Sequence, residues 1–101
     1  MPYPLSNVTD VASAGTAVQI SNTARRVLSI VFVAPGGNSG TVYVGNDGNG
    51  DVSATTGLPL GAGQSITYDF GRFQVSVPIS DFWVDSAING DDVAWTAEMF
   101  T

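Results

Sequence analysis

The 101-residue sequence contains no cysteine, no histidine and no lysine. Without cysteine there is neither a disulfide framework nor thiolate chemistry. Without histidine the usual general base and the usual transition-metal ligand are both missing, and the serines have no histidine or lysine to activate them as nucleophiles. The only cations are Arg25, Arg26 and Arg72, set against nine acids for a formal charge of −6. A surface of that sign repels phosphate backbones and offers no basic stripe, so nucleic acid is not an expected partner. Long apolar runs are also lacking. No segment approaches the ~20 apolar residues of a membrane span, and "MPYPLSNVTD" has neither the positive charge nor the apolar stretch of a signal peptide. The expectation is a soluble protein with no membrane partner. Its length suits one domain with a modest core.

What is present is glycine (12), proline (5) and short runs in which apolar and small polar residues alternate. That pattern predicts an all-β domain. "TAVQIS" places Val18 and Ile20 on one face. "RRVLSIVFVAP" is apolar from Val27 to Ala34 apart from Ser29, as expected of a central strand covered on both faces. "TVYVG" turns Val42 and Val44 inward, "GLPLGAGQ" reads as a short extended piece and a turn, and "SITYDF" aligns Ile66, Tyr68 and Phe70. "FQVSV" aligns Phe73, Val75 and Val77 before Pro78, which has no N–H for a ladder. In "ISDFWVDSA" Phe82 and Val84 share one face, Ile79 and Trp83 the other; "DVAWTAEMF" aligns Val93, Trp95, Ala97 and Met99. About seven to eight short strands in one domain predict an antiparallel β-sandwich, a jelly-roll or another Greek-key. The sandwich is expected over residues 16–101. Residues 1–15, with Pro2 and Pro4 and with Tyr3, Leu5, Val8 and Val11 at no regular spacing, read as an extended N-terminal arm that packs onto a neighbouring subunit, against the alternatives of a loose tail or an edge strand.

Three constellations bear on chemistry. In "VGNDGNGDVS", Asp47, Asn49 and Asp51 match the first half of a calcium loop, but Val52 stands where its glycine belongs and Leu58 where its bidentate glutamate belongs. Asp47-Gly48 and Asn49-Gly50 are instead turn dipeptides, so a metal-free loop is expected. Asp81 and Asp85, if on one strand, would lie ~13 Å apart, too far for either glycosidase geometry; Asp91 and Asp92 are adjacent in a turn signal. No catalytic residue, cofactor or metal follows from these, and the chain reads as a non-enzyme. Trp95 is assigned to the core by its neighbours, whereas Trp83, between two aspartates, is the better surface aromatic.

The run "ARRVLSIVFVAPGGNSGTVYVGNDGNGDVSATTGLPLGAGQSITYDF", followed by "ISDFWVDSAINGDDVAWTAEMF", resembles the small virion structural proteins of tailed bacteriophages. Within it, "DVSATTGLPLGAGQSITYDF" is similar to their succession of V-x-x-x-x-G-x-x-L, a glycine turn and an amphipathic strand. The resemblance covers residues 16 to 100 and implies a capsid decoration (cement) protein of the phage head, made in the host cytoplasm and located on the capsid surface. Its implied partners are the major capsid protein and further copies of itself, a homotrimer being favoured. The family has no catalytic residues to transfer. Tyr3, Leu5, Val8 and Val11 of the arm, with Trp83, are the expected partner contacts. The alternative is a glycan-binding sandwich module of a fibre or tail, which would hold Trp83 or Tyr43 open in a groove.

Overall fold

The structure is a computed structural model and describes residues 3–46 and 52–100. These form nine strands: β1 (Tyr3–Val11), β2 (Val18–Gln19), β3 (Arg26–Val33), β4 (Val42–Asn46), β5 (Leu58–Leu60), β6 (Ser65–Asp69), β7 (Val77–Pro78), β8 (Phe82–Ser86) and β9 (Asp91–Phe100). Four antiparallel pairings, β1 with β9, β2 with β8, β3 with β6 and β4 with β5, make one long hairpin whose tip joins β4 to β5. Folding that hairpin over pairs β3 with β9 and β4 with β8. Two sheets result, in the orders β1-β9-β3-β6, with β7 also on β3, and β2-β8-β4-β5. Of the two sandwich topologies open to the sequence, this is the jelly-roll.

Alternation explains the packing. Val93, Trp95, Ala97 and Met99 of β9, with Val27, Ile30 and Phe32 of β3, face the other sheet and are buried against Val42, Val44, Phe82 and Val84. The centre is aromatic: the Phe32 ring lies 5.5 Å from Phe82 and 6.0 Å edge-on from Tyr68, and Tyr68 and Phe70 both lean on Phe82. Burial raises the pKa of the Tyr68 phenol. Glycine is needed where β8 reverses into β9, because Gly90 sits at φ 84°.

Three elements differ from expectation. Residues 3–11 of the segment read as an arm are β1, an edge strand hydrogen-bonded to β9 along its whole length. Tyr3, Leu5 and Val11 fall on the inner face, so the apparently irregular spacing conceals a period of two interrupted by Asn7 and Thr9. Pro4 is tolerated because the strand is an edge. "FQVSV" is not a strand: once the Phe70 N–H has bonded the Leu28 carbonyl, the chain turns through a 3₁₀ segment, Gly71–Phe73, and Gln74 adopts a left-handed conformation at φ 60°. Phe73 and Val75 therefore point outward, and only Val77 joins the sheet. Finally, β3 is interior to its sheet, but its second face is open: Val31 lines a shallow depression of about 400 Å³ with Tyr3, Pro4, Ser29, Thr96, Ala97 and Glu98.

Candidate functional site

The acids that could have supported chemistry are mostly tied into loops. Asp81 ends a 3₁₀ turn, Ile79–Asp81, while Asp85 lies in β8, so the two do not share a strand as expected. Ile79 moves with that turn into the core instead of standing beside Trp83. The Asp85 carboxylate is buried and accepts the N–H of Gly15 at 2.9 Å and of Ser86 at 2.8 Å, which fastens the β1–β2 connection to β8. Asp91, also buried, accepts the N–H groups of Ser39 at 2.9 Å and Gly40 at 2.8 Å, fixing the β3–β4 loop against the start of β9. Buried carboxylates that satisfy several backbone N–H donors are structural ties.

Asp92 is different. Its side chain faces the outer side of the sheet, directly across from Asp10 of β1. Partial loss of solvent, a hydrogen bond with Asp10 and the charges of Asp10 and Asp91 together raise its pKa above the ordinary 3.8. Two like charges in register oppose sheet pairing. Asn38 steadies the backbone here: its amide donates to the Asp92 carbonyl and its carbonyl accepts the Asp92 N–H.

The outer face of the second sheet carries Trp83, in register with Gln19 and Gly45, and Tyr43, in register with Pro59 and Asp85. A side chain at Gly45 would strike Val52, whose methyl carbon lies 2.6 Å from where a Cβ would stand. That gap lets Val52 bury itself on the sheet, and a turn closed by the Gly57 N–H on the Ser53 carbonyl brings Gly57 against Tyr43. Trp83 is half-buried, and its indole N–H is shielded with no hydrogen-bond partner among the described residues. The residues read as a metal-free loop, Asp47 to Asp51, lie outside the described residues; among those described, no cluster of three potential metal ligands occurs.

The five expected contact residues are dispersed. Val8 is exposed on the outer face of β1, Tyr3 and Leu5 are half-buried against the core, and Trp83 is on the other sheet. Val11 is wholly in the core, because it closes the inner row of β1 beside Asp91. Phe73 and Val75, expected to share a strand face with Val77, stand on the surface instead; the Gly71-Arg72 dipeptide just before them is the signal of a reversal that the sequence carries.

No family model and no curated protein matches the chain. Several solved structures are similar to it, two of which follow. One belongs to Bacillus endospore appendages, described as a family of disulfide-linked pili, with 14% identity, TM-score 0.53, and coverage of 99% of this chain and 88% of that one. The other is the SPBc2 prophage-derived protein YomS, with 10% identity, TM-score 0.43, and coverage of 100% and 97%. At these identities the likeness to the appendage subunit is one of fold, and a chain without cysteine has no means of forming that protein's disulfide links.

Proposed function

We propose that the chain is a non-enzymatic structural subunit of a phage virion, a decoration protein that sits on the outside of the capsid and bridges neighbouring copies of the major capsid protein, as a homotrimer. The observation that supports this reading is how the polar and apolar residues are distributed. Buried acids hold loops, while Val8, Phe73, Val75 and Phe100, all more than half exposed, are left on the surface of a small sandwich. Large apolar side chains on the outside of so small a domain suit association. Such a protein acts by linkage: binding only the assembled shell stabilises the shell, and no reaction is required. The glycan alternative needs an aromatic face open in a groove. Trp83 and Tyr43 are half-buried, and Tyr3 is the one aromatic lining the open depression.

Co-sedimentation of the purified chain with undecorated particles tests the reading. Saturable binding at a fixed number of copies per capsid protein supports it; a chain that stays in the supernatant at micromolar particle sites refutes it.

A further inference from the structure

The three cations of this acidic chain are gathered at one end of the sandwich. Arg26 opens β3 in register with Phe100 of β9 and Pro78 of β7. Its guanidinium donates to the Ser76 hydroxyl at 2.7 Å and to the Ser76 carbonyl. Arg25 donates to the Tyr3 hydroxyl at 2.9 Å. Arg72 stands on the turn docked beside Leu28, its guanidinium carbon 5.2 Å from the centre of the Phe73 ring. None of the three guanidinium groups forms an ion pair with a described residue, although two acids stand at this end: Asp69, whose carboxylate accepts the Arg72 backbone N–H at 3.3 Å, and Glu98, two residues before Phe100. Around them are the exposed side chains of Phe73 (69%), Phe100 (55%) and Val75 (51%).

The opposite end carries acids and none of the three cations. There β1 finishes and β9 begins, so Asp10 and Asp92 face each other on the open side of the sheet, with exposed Ile88 on the adjoining turn and no cation. Asp92 and Phe100 are eight residues apart along β9, a span of ~27 Å, and the molecule is 37 Å long. Arginine and aromatic side chains are the groups that concentrate at the centres of protein interfaces. A guanidinium fork also suits a pair of carboxylates that repel one another in isolation.

We propose that the end bearing Arg26, Arg72, Phe73 and Phe100 binds the Asp10–Asp92 end of a second copy of this chain. The contact joins unlike surfaces, so it produces a ring where successive rotations close and a linear chain where they do not. A trimer on a capsid would be the ring of three, but the inference stands on charge and exposure alone and holds or falls without any capsid.

Light scattering coupled to size exclusion tests it on the purified chain alone, which separates its failure from failure of the capsid reading. At low salt and high protein concentration the wild type should exceed the monomer mass, with the excess lost as salt screens the contact. R26E/R72E and D10K/D92K, both at surface positions, should each be monomeric, since each makes its two ends alike in sign. Mixed in equal amounts, they should associate again, because each then offers what the other needs. Phe73→Ser, which removes nothing from the core, should weaken wild-type association about ten-fold or more, as expected for an interface anchor. Circular dichroism checks that the variants fold; if either charge variant does not, the salt titration and Phe73→Ser still decide. A wild type that is monomeric at all salt concentrations overturns the proposal, as does a mixture of folded charge variants that stays monomeric.

Discussion

Replacing Phe32 by alanine tests the jelly-roll packing at its centre. Phe32 is wholly buried on β3, between the Phe82 ring at 5.5 Å and the Tyr68 ring at 6.0 Å. The substitution removes the transfer free energy of the ring and leaves a cavity that the flanking strands cannot close, together about 3–5 kcal/mol for a buried phenylalanine. Two aromatic contacts are lost as well, each worth about 0.5–1.5 kcal/mol beyond area burial. The upper part of the range, about 4–5 kcal/mol, is therefore expected. A domain of this size has a total stability of about 5–15 kcal/mol, so the variant should keep its fold only narrowly, and its melting temperature should fall by roughly 15–30 °C. Urea unfolding followed by tryptophan fluorescence gives the number directly, with an unchanged m-value showing that the unfolded reference has not moved. Val8→Ala, at an exposed position on the same sheet, should change stability by less than ~0.5 kcal/mol. A Phe32→Ala loss below ~1.5 kcal/mol, or a Val8→Ala loss equal to it, would refute the assignment of inner and outer faces.

Other outcomes follow from the same structure. Asp92→Asn should stabilise the protein at neutral pH by about 0.2–1 kcal/mol, the scale of a cross-strand pair. Because the folded-state pKa of Asp92 lies above the ordinary 3.8, the wild type loses stability as pH rises through that window; the advantage of the variant should vanish below it, and an advantage that persists at pH 3 would contradict the assigned cause. Removing residues 2–11 takes away β1 and uncovers the row from Val93 to Met99, so thermal melting should show a large loss of stability; an unchanged melting temperature would mean that β1 is not part of the folded unit. Gly45→Val should expel Val52 from its seat and speed proteolysis in the 52–57 turn with little effect on β3 exchange, whereas uniform protection would argue against that contact.

The fold class was legible because period-two patterning survives in the long strands. The face of β9 carrying Val93, Trp95, Ala97 and Met99 falls where alternation puts it, whereas the continuous apolar run of β3 does not tell Ile30 and Phe32, which face the other sheet, from Val31, which does not. Where pattern and structure part, tertiary contacts decide. β1 was obscured because Asn7 and Thr9 occupy inner positions, Thr9 receiving the Trp95 indole N–H at 3.2 Å. Phe73, Val75 and Val77 align as one face of a strand in the sequence because a backbone turn fixed by Leu28, 42 residues before Phe70, leaves no trace in local alternation. The roles of Asp85 and Asp91 were similarly hidden, since their partners are backbone N–H groups of distant loops. The burial of Val52 over Gly45 was hidden too, because it depends on a glycine whose purpose shows only in three dimensions.

The central claim, a structural subunit that works by stabilising an assembled shell, is tested most directly by calorimetry of undecorated capsids with and without the purified chain. A ligand that binds only the assembled state at 100 times its dissociation constant adds about 2.7 kcal/mol per site. The account predicts that the capsid transition moves to higher temperature as the chain is added and stops moving once its sites are filled. A transition that stays in place while the chain is bound, or one that never responds because the chain does not bind, would contradict it.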